Sequence, residues 1–220
     1  EGDSRIAIER ILSAAEGKEL SWIEIVPENH NPIYYLAEKV FFDNVINDPV
    51  FLYPPYHRDK LCTFILRYFL DPDPPESGAL FHGPRETYKS TIVQAAIVWL
   101  LLRWKHLFNK DVRMVLRHHK EDMASLAIIN LKAKFMLHSW LRAVWPDACP
   151  DFDDRKWGTQ TAFSLAWVVP GTIREPSVMG VGLTASQTGL HNDFTFNDDL
   201  VTEDHKKSKV VRDDAKARYA

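Results

Sequence analysis

Apolar residues recur at helical spacing in three stretches of the first third of the chain. This spacing predicts a helix from Ser4 to Ala15, a second from Ile33 to Val45, and a third that opens at Tyr53 and runs through Phe69. Asp48 and Pro49 are expected to end the second helix. A proline-rich segment, residues 71–75, then predicts a stiff linker. We therefore expect an N-terminal helical region or lid over residues 1–75.

The rest of the chain alternates between strand-like and helical patterns. The predicted elements are, in order, a strand at Gly78–Phe81, a helix at Ile92–Leu102, a strand at Val112–Leu116, a helix at Lys120–Leu141, strands at Phe163–Val169 and Ser177–Leu183, a strand from Phe194, and a helix at Asp204–Tyr219. Strands that alternate with helices at this spacing predict a mainly parallel sheet flanked by helices. Residues 76–220 are therefore expected to form an α/β core.

A candidate phosphate-binding loop lies between the first strand and the first helix of this core. Its residues are Gly83, Pro84, Arg85, Glu86, Thr87, Tyr88, Lys89, Ser90 and Thr91. In such a loop the backbone N–H groups cradle phosphates, the lysine reaches the β- and γ-phosphates, and the serine hydroxyl binds Mg²⁺. The pattern G-x-x-x-x-G-K-[ST] is met at Gly83, Lys89 and Ser90 and broken at Tyr88, where the second glycine belongs. The motif predicts a P-loop NTPase that binds ATP and Mg²⁺.

A second candidate feature lies about a hundred residues further on. Phe194 and Phe196 alternate with polar residues, which predicts a strand that ends at Asp198 and Asp199. Adjacent carboxylates disfavour double ionisation unless a cation lies between them, and a bound Mg²⁺ would satisfy that need. A solvated acidic turn after a short strand is the alternative interpretation.

Composition narrows the class of protein. The net charge of −3 over 220 residues argues against a general nucleic-acid binder. Residues 101–150, however, carry nine Lys or Arg against four Asp or Glu, which indicates either a phosphate-tracking surface or solvated helix faces. Cys62 and Cys149 lack metal-ligand spacing, so free thiols in a reducing compartment are expected. No apolar run is long enough for a membrane span.

The loop from Gly83 to Thr91, with an early arginine and no second glycine, resembles the deviant Walker A motif of large terminase subunits of tailed bacteriophages. Three later segments resemble the approach to the Walker B strand in that family: Pro176–Val178, Thr188–Asp193 and Asp198–Thr202. The resemblance covers roughly residues 50–205.

The resemblance implies an ATPase that packages double-stranded viral DNA into a procapsid. It implies a portal protein and a small terminase subunit as partners, a homo-oligomeric ring on the portal, the host cell cytoplasm as location, and no membrane. It also implies that a coupling motif and a nuclease domain belong to a longer protein.

The resemblance also assigns roles to single residues. It implies that Lys89 and Arg85 contact phosphates, that Ser90 and Asp198 hold Mg²⁺, and that Asp199 polarises the attacking water. Glu203 is the alternative to Asp199, because many members have glutamate in that role. His57 falls where the family places adenine-contacting residues. The candidates for a trans-acting arginine are Arg142, Arg155 and Arg174.

Other interpretations remain open at this point. A helicase-like P-loop translocase is one, although no DEAD or DEAH box follows the acidic strand. A non-hydrolytic module that binds DNA or the portal, with a P-loop that has decayed at Tyr88, is another. The pair His118 and His119 is interpreted as the start of a helix rather than as a metal cluster.

Overall fold

The computed structural model describes residues 30–42, 54–71, 78–81, 83, 84, 87–151, 157–169, 171, 173–182 and 191–199. The chain is a mixed α/β protein with two compact units. One unit comprises residues 1–110 and 134–149, and the other comprises residues 111–133 and 150–220.

The first described element of the first unit is a short capped helix, α1 (Pro32–Leu36). The Asn31 side chain accepts hydrogen bonds from the Ile33 and Tyr34 amides. These are two of the first-turn N–H groups that have no partner within the helix. The chain continues as a π-helical segment, Ala37–Phe42. The predicted helix from Ile33 is therefore confirmed as far as Phe42, and its expected end lies outside the described residues.

A second helical stretch in this unit changes its winding twice. It comprises α2 (Pro54–Tyr56), a π-helical segment (His57–Cys62) and α3 (Thr63–Leu70). This confirms the third predicted helix. The change of winding was not predicted, because apolar spacing does not distinguish π from α winding over six residues.

The longest of the described helices, α4 (Lys89–Phe108), lies at the centre of the described part of the first unit. Every residue from Gln94 to Leu102 is buried, so the helix is covered on all sides, as expected for a helix that is apolar all round. Helix α1 and the two π-helical segments pack against it. The predicted helix at Ile92–Leu102 is confirmed, and it extends further at both ends.

The second unit contains a four-stranded sheet in the order β2-β3-β1-β4. The strands are β1 (Met114–His118), β2 (Ala162–Phe163), β3 (Val178–Gly182) and β4 (Phe194–Asp198). Strand β1 pairs in parallel with β3 and β4, whereas β2 pairs antiparallel with β3. The predicted mainly parallel sheet is thus confirmed, with β2 much shorter than expected.

Helix α5 (Glu121–Leu137) follows β1, and its portion in the second unit packs directly against the sheet. A Cβ added at Gly180 in β3 would lie 2.7 Å from Ile128 and 2.8 Å from the Ala124 carbonyl oxygen. Only glycine permits this close approach of helix and strand. Ala124, Ile128 and Leu131 form the buried stripe of the helix, as the helical spacing predicts.

The predicted long helix at Lys120–Leu141 is interrupted. His138 is extended, with a ψ of 112°, and a separate helix, α6 (Ser139–Val144), follows it. A 3₁₀ turn at Pro146–Ala148 ends this part of the chain.

One predicted strand is wrong. Residues Gly78 to Phe81 lie outside any strand, and the Leu80 side chain is 76% exposed. The predicted helices at Ser4–Ala15 and Asp204–Tyr219 lie outside the described residues. So does the predicted domain boundary after residue 75, which stays a prediction.

Both cysteines are buried free thiols. Burial raises the pKa of Cys62 to about 12 and that of Cys149 to about 11, so neither is a reactive thiolate at neutral pH. Among the described helices, none has the length and apolar character needed to cross a bilayer.

Candidate functional site

The loop before α4 has the backbone of a tight turn into a helix N-terminus. Tyr88 has φ 53° and ψ 23°, a left-handed conformation, and its carbonyl accepts the first helical hydrogen bond from the Ile92 amide at 3.0 Å. The Tyr88 side chain makes no capping hydrogen bond. Because the first N–H groups of a helix have no intrahelical partner, this end of α4 is suited to an anion.

The Lys89 ammonium is directed back onto the loop. Its Nζ donates to the Gly83 carbonyl oxygen at 3.2 Å and also to the Pro84 carbonyl oxygen. The cation is therefore held beside the loop backbone, where the motif predicts phosphate contacts. Ser90 is exposed in the first turn of α4, and Thr91 is half-buried.

Gly83 packs closely against three side chains beneath the loop. A Cβ at this position would collide with the Tyr56 hydroxyl and would lie 3.0 Å from the Phe81 ring and 3.2 Å from Lys89 Cδ. The first glycine of the motif thus leaves room for both an aromatic support and the lysine side chain. Nothing in the local sequence pattern pointed to Tyr56 or Phe81 as supports.

His57 contacts the same loop from the π-helical segment. It is buried, and its Nε2 lies 3.0 Å from the Thr87 carbonyl oxygen. The Tyr56 hydroxyl lies 3.3 Å from Thr87 Oγ1, and the Thr87 hydroxyl donates to the Pro84 carbonyl oxygen at 2.9 Å. The structure therefore places His57 against the loop backbone, and its predicted contact with adenine stays a prediction.

The acidic strand end lies in the second unit. Asp198 is the last residue of β4 and is in register with His118, the last residue of β1. Asp199 follows in a left-handed conformation with φ 46°, which aspartate tolerates better than most residues. Two carboxylates thus leave the carboxyl end of a parallel strand, as the sequence predicts.

Two histidines that the sequence analysis set aside lie at this strand end. His119 Nδ1 lies 2.8 Å from the Asp199 carbonyl oxygen, and His118 Nδ1 accepts a hydrogen bond from the Lys120 amide at 3.1 Å. Parallel strands in register bring their carboxyl ends to one edge of a sheet. The sequence could therefore have connected His118 and His119, at the end of one predicted strand, with Asp198 and Asp199 at the end of another.

The environment of His118 favours its neutral form. Burial, together with the neighbouring His119, lowers the pKa of His118 below its ordinary value, although the carboxylates of Asp198 and Asp199 act in the opposite direction. The accepted hydrogen bond from the Lys120 amide requires an unprotonated Nδ1, which agrees with a neutral ring.

The opposite end of the same strands is fixed by an ion pair. Arg113 donates from Nε and Nη2 to the two carboxylate oxygens of Asp193, each at 3.1 Å, and its backbone N–H donates to Asp193 at 2.9 Å. Glu175 lies 3.5 Å from Arg113 Nη1. Asp193 therefore holds the start of β4 against the start of β1.

Many basic side chains of residues 101–150 make contacts within their own unit. Arg113 and Lys132 donate to oxygen acceptors, Arg142 donates to the Met136 carbonyl, and three further cations lie over aromatic rings. These three are Arg103 over Trp99, Lys110 over Trp104 and Lys134 over Phe41. For these six cations, the contacts favour ordinary faces of helices and strands over a phosphate-tracking surface.

Arg85, Glu86 and Glu203, which were predicted as site residues, lie outside the described residues. The roles predicted for Gly83, Pro84, Thr87, Tyr88, Lys89, Ser90, Thr91, Asp198 and Asp199 stay predictions. No protein-family model and no curated protein matches the sequence of this chain.

Proposed function

We propose that this chain is an ATP-hydrolysing part of a viral DNA-packaging motor, built on a P-loop fold. The observation that carries the proposal is the geometry of the loop before α4. The turn at Tyr88 into a helix N-terminus and the Lys89 ammonium on the loop carbonyls support the proposal, although residues 78–81 form no strand before the loop.

Each half of the proposed machinery has its own chemical task. The loop and the first turn of α4 would bind the phosphates of ATP through backbone N–H groups and Lys89. Ser90 and Asp198 would supply oxygen ligands to Mg²⁺, which neutralises charge on the phosphates when it is bound. Asp199 would orient and polarise the attacking water for in-line displacement.

The DNA and portal partners of the proposal rest on the resemblance to large terminase subunits alone. The contacts that hold Arg103, Arg113 and Lys132 within the fold leave fewer cations for phosphate contacts than the sequence count suggests. We therefore expect DNA binding by this chain to be weak, independent of sequence and steeply dependent on salt.

The proposal is tested by phosphate release from ATP across a series of chain concentrations, with and without double-stranded DNA. In a ring motor an arginine supplied in trans raises the rate by about 10³–10⁵-fold, so the rate per chain should rise with concentration. Asp199→Asn, which keeps the size of the side chain and removes its charge, should bind ATP and lose turnover.

Two results would contradict the proposed function and favour one of the alternatives. Brisk hydrolysis that does not depend on concentration would indicate a self-sufficient site, as in another P-loop translocase. ATP binding without any turnover at any concentration would favour a non-hydrolytic binding module.

A further inference from the structure

His118, His119 and Asp199 form a compact group at the carboxyl edge of the sheet. Each offers one ligand atom, and the three atoms lie within 4.8 Å of one another. The group results from the parallel register of β1 and β4, which ends both strands at the same level, and from the left-handed turn at Asp199.

A hydrogen bond to a backbone carbonyl sets the tautomer of His119 that suits metal binding. Its Nδ1 lies 2.8 Å from the Asp199 carbonyl oxygen, a pure acceptor, so Nδ1 carries the proton. The lone pair of Nε2 is then available for coordination. Metal-binding histidines in proteins usually donate their other ring N–H to a carbonyl or carboxylate in this way.

His118 must give up a hydrogen bond to coordinate a metal. Its Nδ1 accepts a hydrogen bond from the Lys120 amide. Coordination through Nδ1 uses the same lone pair, and coordination through Nε2 moves the ring proton to Nδ1. The two rings are tilted against each other, with centroids 4.4 Å apart and an interplanar angle of 34°, and each offers a nitrogen within 4.8 Å of the other ligand atoms. Moderate rather than tight binding follows.

We propose that His118, His119 and Asp199 form a site for a borderline-soft divalent transition metal such as Zn²⁺. Two imidazole nitrogens and one carboxylate oxygen suit Zn²⁺, Co²⁺ or Ni²⁺, whereas Mg²⁺ prefers an all-oxygen shell. Water completes the coordination, because three protein ligands leave at least one position open. The site shares Asp199 with the proposed hydrolytic machinery, but it does not rest on the proposed function and is tested without nucleotide.

The experiment is a Zn²⁺ titration of the chain in competition with a chromophoric chelator, with Mg²⁺ in large excess. We expect one Zn²⁺ per chain with micromolar affinity. His119→Ala and Asp199→Asn should each weaken binding at least tenfold, in line with the effect of losing a ligand or its orienting partner. His106→Ala, which removes an exposed histidine on α4, is the matched control and should leave the affinity unchanged.

Three results would overturn the proposal. The first is a wild-type affinity for Zn²⁺ that is no stronger than that of His119→Ala. The second is a loss of Zn²⁺ affinity in His106→Ala equal to the loss in His119→Ala. The third is complete displacement of Zn²⁺ by Mg²⁺, which would indicate an oxygen-ligand site. Titration of the wild-type chain with Co²⁺ provides an independent measurement, because a visible spectrum identical to that of aqueous Co²⁺ would contradict nitrogen ligation.

Discussion

Tyr88 stands where the standard motif has glycine. The residue is left-handed, a conformation that glycine adopts freely and tyrosine does not. A non-glycine residue in this region is disfavoured by about 1–2 kcal/mol. The ring contacts of Tyr88 with Phe42 and His57, at centroid distances of 5.3 Å and 6.4 Å, partly offset that cost.

Substitutions at Tyr88 test this conformation. Tyr88→Gly should change the free energy of unfolding by less than about 1 kcal/mol, because relief of the left-handed strain offsets the lost ring contacts and the greater entropy of glycine. Tyr88→Val should destabilise by about 1–2 kcal/mol more than Tyr88→Gly, since a β-branched residue is a severe outlier there. Denaturant unfolding measures both. Equal stabilities for the two variants would mean that residue 88 is not left-handed.

His118 gives the protein a distinct dependence of stability on pH. Its pKa in the fold lies below the ordinary value of 6.5, so the unfolded chain binds the proton more readily. The contribution of His118 to stability is therefore complete above about pH 6.5 and is lost as pH falls through the lower pKa of the folded state.

The variant His118→Asn isolates this effect. Asparagine keeps an acceptor for the Lys120 amide but does not titrate, so the variant should lose less stability than the wild type between about pH 7 and pH 5. Melting temperatures over that range measure the difference. Parallel curves for the two proteins would contradict a lowered pKa at His118.

At the scale of elements, the ion pair of Arg113 and Asp193 joins the starts of β1 and β4. The pair is bidentate, with side chains 28% and 19% exposed, and it adds to backbone hydrogen bonds between the same residues. Burial is partial, so screening by water reduces its strength below that of a fully buried pair.

We expect Asp193→Asn to destabilise the chain by about 1–2 kcal/mol, with a smaller effect at high salt. Arg58→Ala is the matched control, because it removes an exposed ion pair with Asp59 and should have little effect. Urea unfolding at low and high salt distinguishes the two. A loss in Asp193→Asn no larger than that in Arg58→Ala would show that the pair does not hold the strands.

The elements that could be predicted from the sequence are those with a sustained pattern. Helix α4 and the strand at Phe194–Asp198 follow directly from apolar spacing. The segment Gly78–Phe81 has the composition of a strand, but a strand requires a partner for its backbone groups, and composition alone does not provide one. The aromatic support under Gly83 comes from Tyr56, whose distance along the chain hides it from any local pattern.

At the scale of the whole molecule, each unit carries one of two groups of charged residues that the sequence places far apart. The first unit presents a helix N-terminus with a lysine on its loop, and the second presents two carboxylates at the end of a parallel strand. The helix after Lys89 and the strand that ends at Asp198 follow from the sequence, whereas the functional roles of their charged residues stay predictions. The roles of His57 and His119 against backbone carbonyls could not be predicted, because they depend on tertiary contacts.

The central claim is that the loop before α4 binds the phosphates of ATP through Lys89. The most direct measurement is a titration of the chain with a fluorescent ATP analogue and Mg²⁺, comparing the wild type with Lys89→Ala. Loss of a charge-assisted contact worth about 1.5–3 kcal/mol should weaken affinity about ten- to a hundredfold. Lys105→Ala, on the same helix but about 24 Å further along its axis, should bind like the wild type. Equal affinities for wild type and Lys89→Ala would contradict the account.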